Sequence, residues 1–407
     1  MAIAGVVVAA CAIVISRRPD AFTNPQFFAE DGSMWFSDAY NHGPLAALDL
    51  ATTGGYLQTA SRLGAVLAAP FGVANAPLVF NICGLLLQIA PALFLLSRRF
   101  DALVPSIWPR LALSGVYLLM PSAELNVNNT FSQFHLAILA ALVIIAPEPR
   151  SWGWRAFDLL VAALCGLTGP FAYVLFPISV LWLIIRRRRF TVALCVVFAV
   201  TLGLQLYIGS LHPRPHYPLG ASLSSGLLII GDRVILAGVF AQEIYTHVLH
   251  SGEQHSLLLA AAVCLLALPV VAFALLKAPA ELWVFGLIAG GLIVAGLASP
   301  FVSASGSQWQ LMATADVGDR YFFMAQVAWV AVLFWAVLQL PRVWMRRVGL
   351  TIGTVAFASG LAAWQYPPFV NYDWPAEAHA ITSAAPGTRE VLPINPGGGW
   401  AVVVTVK

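Results

Sequence analysis

Eleven apolar runs constrain the fold of this chain more than any other feature of its sequence. A helix needs about 20 apolar residues to cross the hydrocarbon core of a bilayer, with a range of about 17–25. The pattern predicts an all-α polytopic membrane protein with about 11 transmembrane helices, within a range of 10–12. The runs lie at about 2–16, 76–97, 106–120, 132–146, 156–168, 171–185, 191–209, 257–276, 281–299, 321–341 and 348–364.

The composition excludes the other broad classes of protein. Hydrophobic residues make up 60% of the 407 residues and charged residues only 10%, whereas soluble chains average about 45–50% and about 25%. The 21 Lys and Arg and 18 Asp and Glu are too few to cover a soluble protein of this length. The net charge of +3 is small and its basic residues sit in clusters beside apolar runs, a pattern that excludes a nucleic-acid partner.

The basic residues predict the orientation of the chain. Most of them alternate between loops as the positive-inside rule requires if the N-terminus is cytoplasmic and the C-terminus external. Arg17 and Arg18 are the exception, because they follow the first run on its outer side. The basic positions that obey the rule are Arg98, Arg99, Arg110, Arg150, Arg155, Arg186 to Arg189, Lys277, Arg342, Arg346 and Arg347.

This orientation divides the chain into a transmembrane domain of residues 1–364 and a small external tail of residues 365–407. Within the domain, 17–75 is a first external loop with amphipathic interfacial helices, and 210–256 is a second large external loop. The tail has a Pro/Gly-rich turn before an alternating Val/Thr run, which predicts a small β-hairpin or strand. A break at Gly169-Pro170 predicts a helical hairpin or a discontinuous helix, and both tend to border a cavity.

The first external loop has two adjacent carboxylates, Glu30 and Asp31, among aromatic residues. A carboxylate beside apolar surface can have a raised pKa and act as a general base. Asp31 precedes Gly32, so it can equally serve as the N-cap of a short amphipathic helix that runs to about Tyr40. The residues alone leave both interpretations open.

A polar segment opens the fourth run, with Glu124, Asn126, Asn128, Gln133 and His135. So many hydrogen-bonding side chains at a membrane boundary are costly to bury without partners. They suit a sugar or another hydroxyl-rich ligand, which offers paired donors and acceptors. Helix capping and solvation of the loop is the alternative.

Two arginines and one histidine cluster are further candidates. Arg320 at the start of a run, and Arg62 on the first loop, can each bind a lipid phosphate or simply reach towards the membrane interface. If 243–250 is helical, one face holds the possible metal ligands Glu243, His247 and His250. An amphipathic helix with interfacial histidines explains that spacing as well.

Six stretches of the chain together resemble a known group of proteins. They read FFAEDGSMWF, GGYLQTASRLGA, ELNVNNTFSQFHLAIL, LTGPFAYVLFPISVLW, GDRYFF and LPINPGGGWAVVV, in this order over almost the whole chain. They are similar to bacterial polytopic membrane proteins related to the GT-C-type glycosyltransferases.

The resemblance implies a GT-C-like fold in the bacterial inner membrane and an inverting sugar transfer on its external, periplasmic face. The donor would be a polyprenyl-phosphate-linked sugar, and the acceptor a glycan, a lipid-linked glycan or a protein. Asp31, favoured because Gly32 leaves its side chain accessible, or Glu30 would be the base. Arg320, and less surely Arg62, would bind the donor phosphate.

The resemblance also implies a sugar and acceptor pocket, and it leaves two questions open. The pocket would be formed by Glu124, Asn126, Asn128, Gln133, His135 and Tyr56. Whether a divalent cation such as Mg²⁺ or Mn²⁺ takes part is one open question. The other is whether the chain instead transports or flips lipid-linked glycans without chemistry, or is a structural subunit.

Overall fold

A computed structural model of the chain describes residues 2–52, 54–240, 253–314, 317–361 and 364–407. Each apolar run coincides with a helix. The α-helices are α1 Ala2–Arg17, α2 Asp20–Thr23, α3 Ser37–His42, α4 Thr59–Ala68, α5 Ala76–Leu96, α6 Ile107–Leu119, α7 Ser132–Ile145, α8 Trp152–Gly166, α9 Ala172–Arg186, α10 Arg189–Leu211, α11 Leu223–Leu228, α12 Glu253–Lys277, α13 Ala280–Ala298, α14 Gln308–Met312, α15 Phe323–Leu338, α16 Val343–Leu361 and α17 Trp374–Ser383. Strands β1 Arg389–Pro393 and β2 Ala401–Thr405 follow.

Five helices of the described chain are long and apolar enough to cross a membrane. They are Val73–Leu96, Gly169–Arg186, Arg189–Leu211, Ser256–Lys277 and Ala280–Ala298. Shorter apolar helices lie at Ala4–Arg17, Ile107–Leu119, Ser132–Ile145 and Phe323–Leu338. The prediction of a mostly helical chain is therefore confirmed, and five of its helices are candidates to span a membrane by length and composition.

One end of the helix bundle is held together by arginines, and we call it the basic end. The Arg99 guanidinium donates to the Asp158 carboxylate at 3.0 Å and to the Pro147 carbonyl at 2.7 Å. These bonds join the 3₁₀ turn after α5 to the chain after α7 and to α8. Arg186 at the end of α9 pairs with Glu281 at the start of α13. Successive helices therefore run in opposite directions between the basic end and the opposite end.

The arginines that break the positive-inside rule are structural. Arg17 is 2% exposed, donates to the Met120 carbonyl at 2.9 Å, and lies 4.3 Å from the centre of the Tyr366 ring. Arg18 is 6% exposed and donates to the Ala123 carbonyl at 3.2 Å. Arg17 thus binds the carbonyl that directly follows α6, and Arg18 binds a carbonyl of the turn after it. Their place in the sequence reflects this packing.

The predicted break at Gly169-Pro170 is present. A 3₁₀ turn separates α8 from α9 there, and the Gly169 N–H donates to the Leu57 carbonyl at 2.8 Å. The Gln205 side chain donates to the carbonyls of Gly166 at 3.1 Å and Gly169 at 3.2 Å. The freed backbone groups are therefore satisfied by Leu57 of the first loop and by Gln205 of α10.

The C-terminal tail contains the predicted β-hairpin, whose two strands pair antiparallel with Val391 opposite Val403. Its buried face joins a core shared with the first loop, in which Phe27, Trp35 and Trp374 meet. The Phe27 and Trp374 rings lie 4.7 Å apart, edge to face. The tail is thus packed directly on the loop that follows α1.

Gly84 places α5 directly against the segment before α7. A Cβ on Gly84 would lie 2.7 Å from the main-chain carbon and oxygen of Asn128. We therefore expect Gly84→Ala to destabilise the fold by about 1–3 kcal/mol through overpacking, measured as a lowered thermal unfolding midpoint in detergent. A Cβ on Gly203 in α10 would meet nothing within 4 Å, so Gly203→Ala is the matched control. Equal effects of the two variants would contradict this close contact.

Candidate functional site

A cavity of about 450 Å³ lies at the end of the bundle opposite the basic end. Its walls come from the first loop, the starts of α7, α9 and α15, the end of α13 and the segment after α10. Polar side chains on its surface are those of Glu30, Thr52, Tyr56, Gln58, Gln133, Arg214 and Arg320. Aromatic side chains include Trp35, Phe131, Phe134, Phe171, Tyr173 and Tyr321.

Glu30 is the carboxylate that faces this cavity. Its Oε2 atom is buried and has no hydrogen-bond partner in the described part of the chain. Burial raises the pKa of Glu30, and the positive charge of Arg320 partly opposes that rise. An unpaired carboxylate oxygen with a raised pKa is a suitable proton acceptor for a ligand hydroxyl.

Asp31 is neither the N-cap of a helix nor accessible from the cavity, contrary to the sequence predictions. It is the first residue of a π-helical segment, Asp31–Phe36, and Glu30 holds the cap position without a side-chain capping bond. The Asp31 side chain is 1% exposed and does not line the cavity. It accepts hydrogen bonds from the Asn129 N–H at 3.1 Å and the Thr130 hydroxyl at 2.9 Å. Asp31 therefore ties the first loop to the segment before α7.

The buried Asp31 makes stability depend on pH. Burial raises the pKa of Asp31 to about 8, above the value of about 3.9 for an unfolded chain. Its contribution to stability is therefore full below about pH 4 and is lost as the pH rises towards 8. We expect the thermal unfolding midpoint to fall by several degrees between about pH 5 and 8.5, and less in Asp31→Asn. Asp49→Asn, at an exposed carboxylate, is the control and should keep the wild-type dependence of the unfolding midpoint on pH. The same dependence in Asp31→Asn as in wild type would refute the raised pKa of Asp31.

The two arginines predicted to bind phosphate are both engaged by carboxylates. Arg320 lines the cavity, but its guanidinium pairs with Glu124. Arg62 is 1% exposed, donates to Asp38 at 2.9 Å and stacks 4.9 Å from the Trp35 ring centre. Arg62 does not line the cavity, and its contacts with Asp38 and Trp35 are those of a residue that holds the first loop together.

Arg214 is a cavity residue that the sequence did not single out. It is half-buried and lines the cavity. Its Nε atom is buried without a hydrogen-bond partner, and no carboxylate of the described residues pairs with the guanidinium. The available signal was its position in the second large loop between Pro213 and Pro215, in a region where the orientation rule disfavours arginine.

Part of the predicted sugar pocket does face the cavity. Gln133 and Tyr56 both line it. Burial raises the pKa of Tyr56 to about 12, so its hydroxyl stays protonated. Glu124 is next to the cavity because its carboxylate pairs with the Arg320 guanidinium. The same carboxylate accepts a hydrogen bond of 2.9 Å from the Arg320 main-chain N–H. These three side chains are therefore placed at or beside one site.

The other members of the polar segment are buried in the fold. Asn126 accepts a bond from Gln88 at 3.1 Å, and Asn128 accepts one from the Phe131 N–H at 2.8 Å. His135 shares a 2.7 Å bond with a buried tyrosine hydroxyl of α6. None of the three lines the cavity. Their bonds within the fold agree with the structural alternative, in which polar groups satisfy the loop and the helix start.

The described residues include no cluster of three or more His, Cys, Asp or Glu side chains able to hold a metal ion. The candidate ligands Glu243, His247 and His250 lie outside the described residues. Whether Mg²⁺ or Mn²⁺ takes part is tested by the assay described below.

The cavity thus brings one unpaired carboxylate together with two guanidinium groups, amide and phenol groups, and aromatic walls. Guanidinium groups bind phosphate oxygens, aromatic faces pack on apolar ring surfaces, and the carboxylate can accept a proton. Compared with known protein families, curated proteins and solved structures, the chain matches none. Any proposal about function therefore depends on this arrangement and on the sequence resemblance.

Proposed function

We propose that the protein is a membrane glycosyltransferase of the GT-C type. It transfers a sugar, with inversion, from a polyprenyl-phosphate donor to a glycan, lipid-linked or protein acceptor. About eleven of its helices, the long ones and the shorter apolar ones, would span the bacterial inner membrane with the N-terminus in the cytoplasm. The basic end would then lie in the cytoplasm and the cavity on the periplasmic side, in accordance with the positive-inside rule.

One observation carries the proposal: Glu30 and Arg214 line the same cavity, and each has a buried polar side-chain atom without a hydrogen-bond partner among the described residues. Buried polar groups in folded proteins are normally hydrogen-bonded. A proton-accepting carboxylate and a guanidinium that no carboxylate of the described residues pairs with, both facing one space, suit a ligand with a hydroxyl and a phosphate. An acceptor alcohol together with a phosphate-linked sugar has this chemistry.

The residue roles follow from the bonds that change. The acceptor oxygen attacks the anomeric carbon, its proton passes to Glu30, and the bond from that carbon to the phosphate oxygen breaks. The leaving polyprenyl phosphate keeps the electron pair as an anion, so it needs no general acid at neutral pH. Arg214 and Arg320 would stabilise the charge that develops on it. Gln133 and Tyr56 would bind sugar hydroxyl groups.

Reconstituted protein tests this proposal. Proteoliposomes would receive radiolabelled polyprenyl-phosphate sugars and a panel of glycan, lipid-linked and peptide acceptors, each with EDTA, Mg²⁺ or Mn²⁺. The expected result is a new glycosidic bond of inverted configuration in at least one acceptor. Movement of the labelled lipid between leaflets without a new bond would overturn the proposal in favour of a flippase.

A further inference from the structure

The backbone just before Glu30 is paired with the C-terminal tail. Phe28 and Asn395 form an isolated parallel β-bridge. The Ala29 N–H donates to the Asn395 carbonyl at 2.6 Å, and the Asn395 N–H donates to the Phe27 carbonyl at 3.3 Å. These bonds hold the backbone one residue before the cavity carboxylate.

That backbone has a conformation that needs support. Ala29 has a φ of +48°, in the left-handed region that costs an L-residue about 1–2 kcal/mol. Such conformations persist only where surrounding contacts determine them. The side chain of Glu30 leaves the chain directly after this residue, so its direction depends on the left-handed turn. The bond from the Ala29 N–H to the tail is therefore placed to maintain that direction.

The side chain of Asn395 anchors the tail half of this contact. Its Oδ1 accepts a bond from the Val370 N–H at 2.8 Å, and its Nδ2 donates to the Val370 carbonyl at 2.9 Å. Asn395 is 3% exposed, so water does not replace these bonds easily. The asparagine thus joins residues 27–29, the start of the tail and the β-hairpin in one network.

The hairpin also supports the π-helical segment from behind. A Cβ on Gly32 would lie 2.8 Å from the Ile394 side chain and 2.9 Å from the Val402 side chain. The Ser37 hydroxyl donates to the Gly32 carbonyl at 2.7 Å and accepts from the Val403 N–H at 3.1 Å. The segment that carries Glu30 and Asp31 is therefore held between the tail on one side and Asn129 with Thr130 on the other.

We infer that Asn395 is a positioning residue that aims the Glu30 side chain into the cavity by fixing the turn at Ala29. The inference rests on the proposed function, because it concerns the group that receives the acceptor proton. Asn395 itself acts only through the backbone of residues 27–29. The C-terminal tail accordingly contributes to the site by orienting the Glu30 side chain.

The chain offers a matched control for this test. Asn41 also makes two side-chain bonds to the backbone of the tail, donating to the Val403 carbonyl at 3.0 Å and accepting from the Thr405 N–H at 2.9 Å. It lies at the end of α3, away from Ala29. Asn41→Ala therefore removes two side-chain bonds to the tail backbone, the same number as Asn395→Ala, but at a place away from the turn.

The test compares Asn395→Ala with Asn41→Ala by hydrogen exchange and by kinetics. In Asn395→Ala we expect faster amide exchange over residues 27–37, and kcat lower by about 10- to 100-fold, since small misplacements of a catalytic group have effects of this size. KM for the lipid donor should stay within about twofold. The acid limb of the pH profile should move to lower pH, because a released Glu30 becomes more hydrated and its pKa falls. Asn41→Ala should change none of these readouts at the cavity.

The outcomes separate the two proposals. Equal exchange rates and equal kcat in Asn395→Ala and Asn41→Ala would overturn the positioning role. Absence of transfer in the wild type would overturn the proposed function, and exchange over residues 27–37 would still decide whether Asn395 fixes the turn. If Asn395→Ala does not fold, Asn395→Asp, which keeps an acceptor for the Val370 N–H, replaces it in the same comparison.

Discussion

Glu30→Gln is expected to lower kcat for sugar transfer by about 10²- to 10⁴-fold, the usual contribution of a general base. Glutamine has nearly the shape of glutamate but cannot accept the proton of the acceptor hydroxyl. Because Glu30 faces the cavity with an unpaired oxygen, the substitution should leave the unfolding midpoint nearly unchanged. Initial rates with a saturating labelled donor measure the effect.

Two further variants make this result specific. Glu148→Gln changes an exposed glutamate near the basic end, which accepts a bond from the Phe190 N–H at 2.9 Å, and should retain full activity. Asp31→Asn tests the carboxylate that the sequence favoured. If Asp31→Asn abolished transfer in a folded protein while Glu30→Gln remained active, the base would be Asp31 and our assignment would be wrong.

Arg214→Gln is expected to raise KM for the polyprenyl-phosphate donor by about 10- to 100-fold. A hydrogen bond to a charged group contributes about 1.5–3 kcal/mol, and the Arg214 guanidinium is the one in the described cavity wall without a carboxylate partner. Arg214→Lys should recover part of the loss, because lysine keeps the charge but lacks the planar pair of donors. Steady-state kinetics over a range of donor concentrations measure the change.

Arg155→Gln is the control for this prediction. Arg155 lies on α8 near the basic end, with its guanidinium 5.0 Å from the Trp152 ring centre, so its loss should not alter KM. Equal KM values for wild type and Arg214→Gln would remove Arg214 from the donor site. A change in kcat alone would assign it to the transition state.

The sequence predicted the helices well because each apolar run is long enough to specify its own structure. A run such as 76–97 must satisfy its backbone internally if it lies in lipid, and only a helix does this within one segment. The hairpin at 389–405 was likewise predicted from local alternation and turn residues. The apolar runs alone do not determine how many helices cross the membrane. Several helices are shorter than the bilayer core, and their depth in the membrane depends on packing.

The site was harder to predict because its geometry depends on contacts between distant segments. Glu30 and Asp31 are neighbours, yet one faces the cavity and the other binds Asn129 and Thr130. Nothing local distinguishes them, since the left-handed turn at Ala29 is maintained by Asn395, more than 300 residues away. The resemblance pointed to this loop and favoured Asp31, whereas the carboxylate that lines the cavity is Glu30.

The arginines that do not follow the positive-inside rule are informative about the fold and the cavity. Arg17, Arg18, Arg62, Arg214 and Arg320 all lie in loops where the orientation rule disfavours them. Four of them bind carbonyls or carboxylates of the fold, and Arg214 faces the cavity. Each of these five arginines therefore has a specific contact or site, which makes such residues good candidates for mutagenesis in similar chains.

The pairing of residues 27–29 with Asn395 has a consequence for biosynthesis. The ribosome makes the loop that carries Glu30 first, and the residues that complete its backbone pairing emerge only after all the long helices. Closing such a distant contact has an entropic cost and slows folding. The nascent chain therefore inserts its helices before its carboxylate has a defined direction. Catalytic competence would then be acquired in the last step of maturation, after membrane insertion.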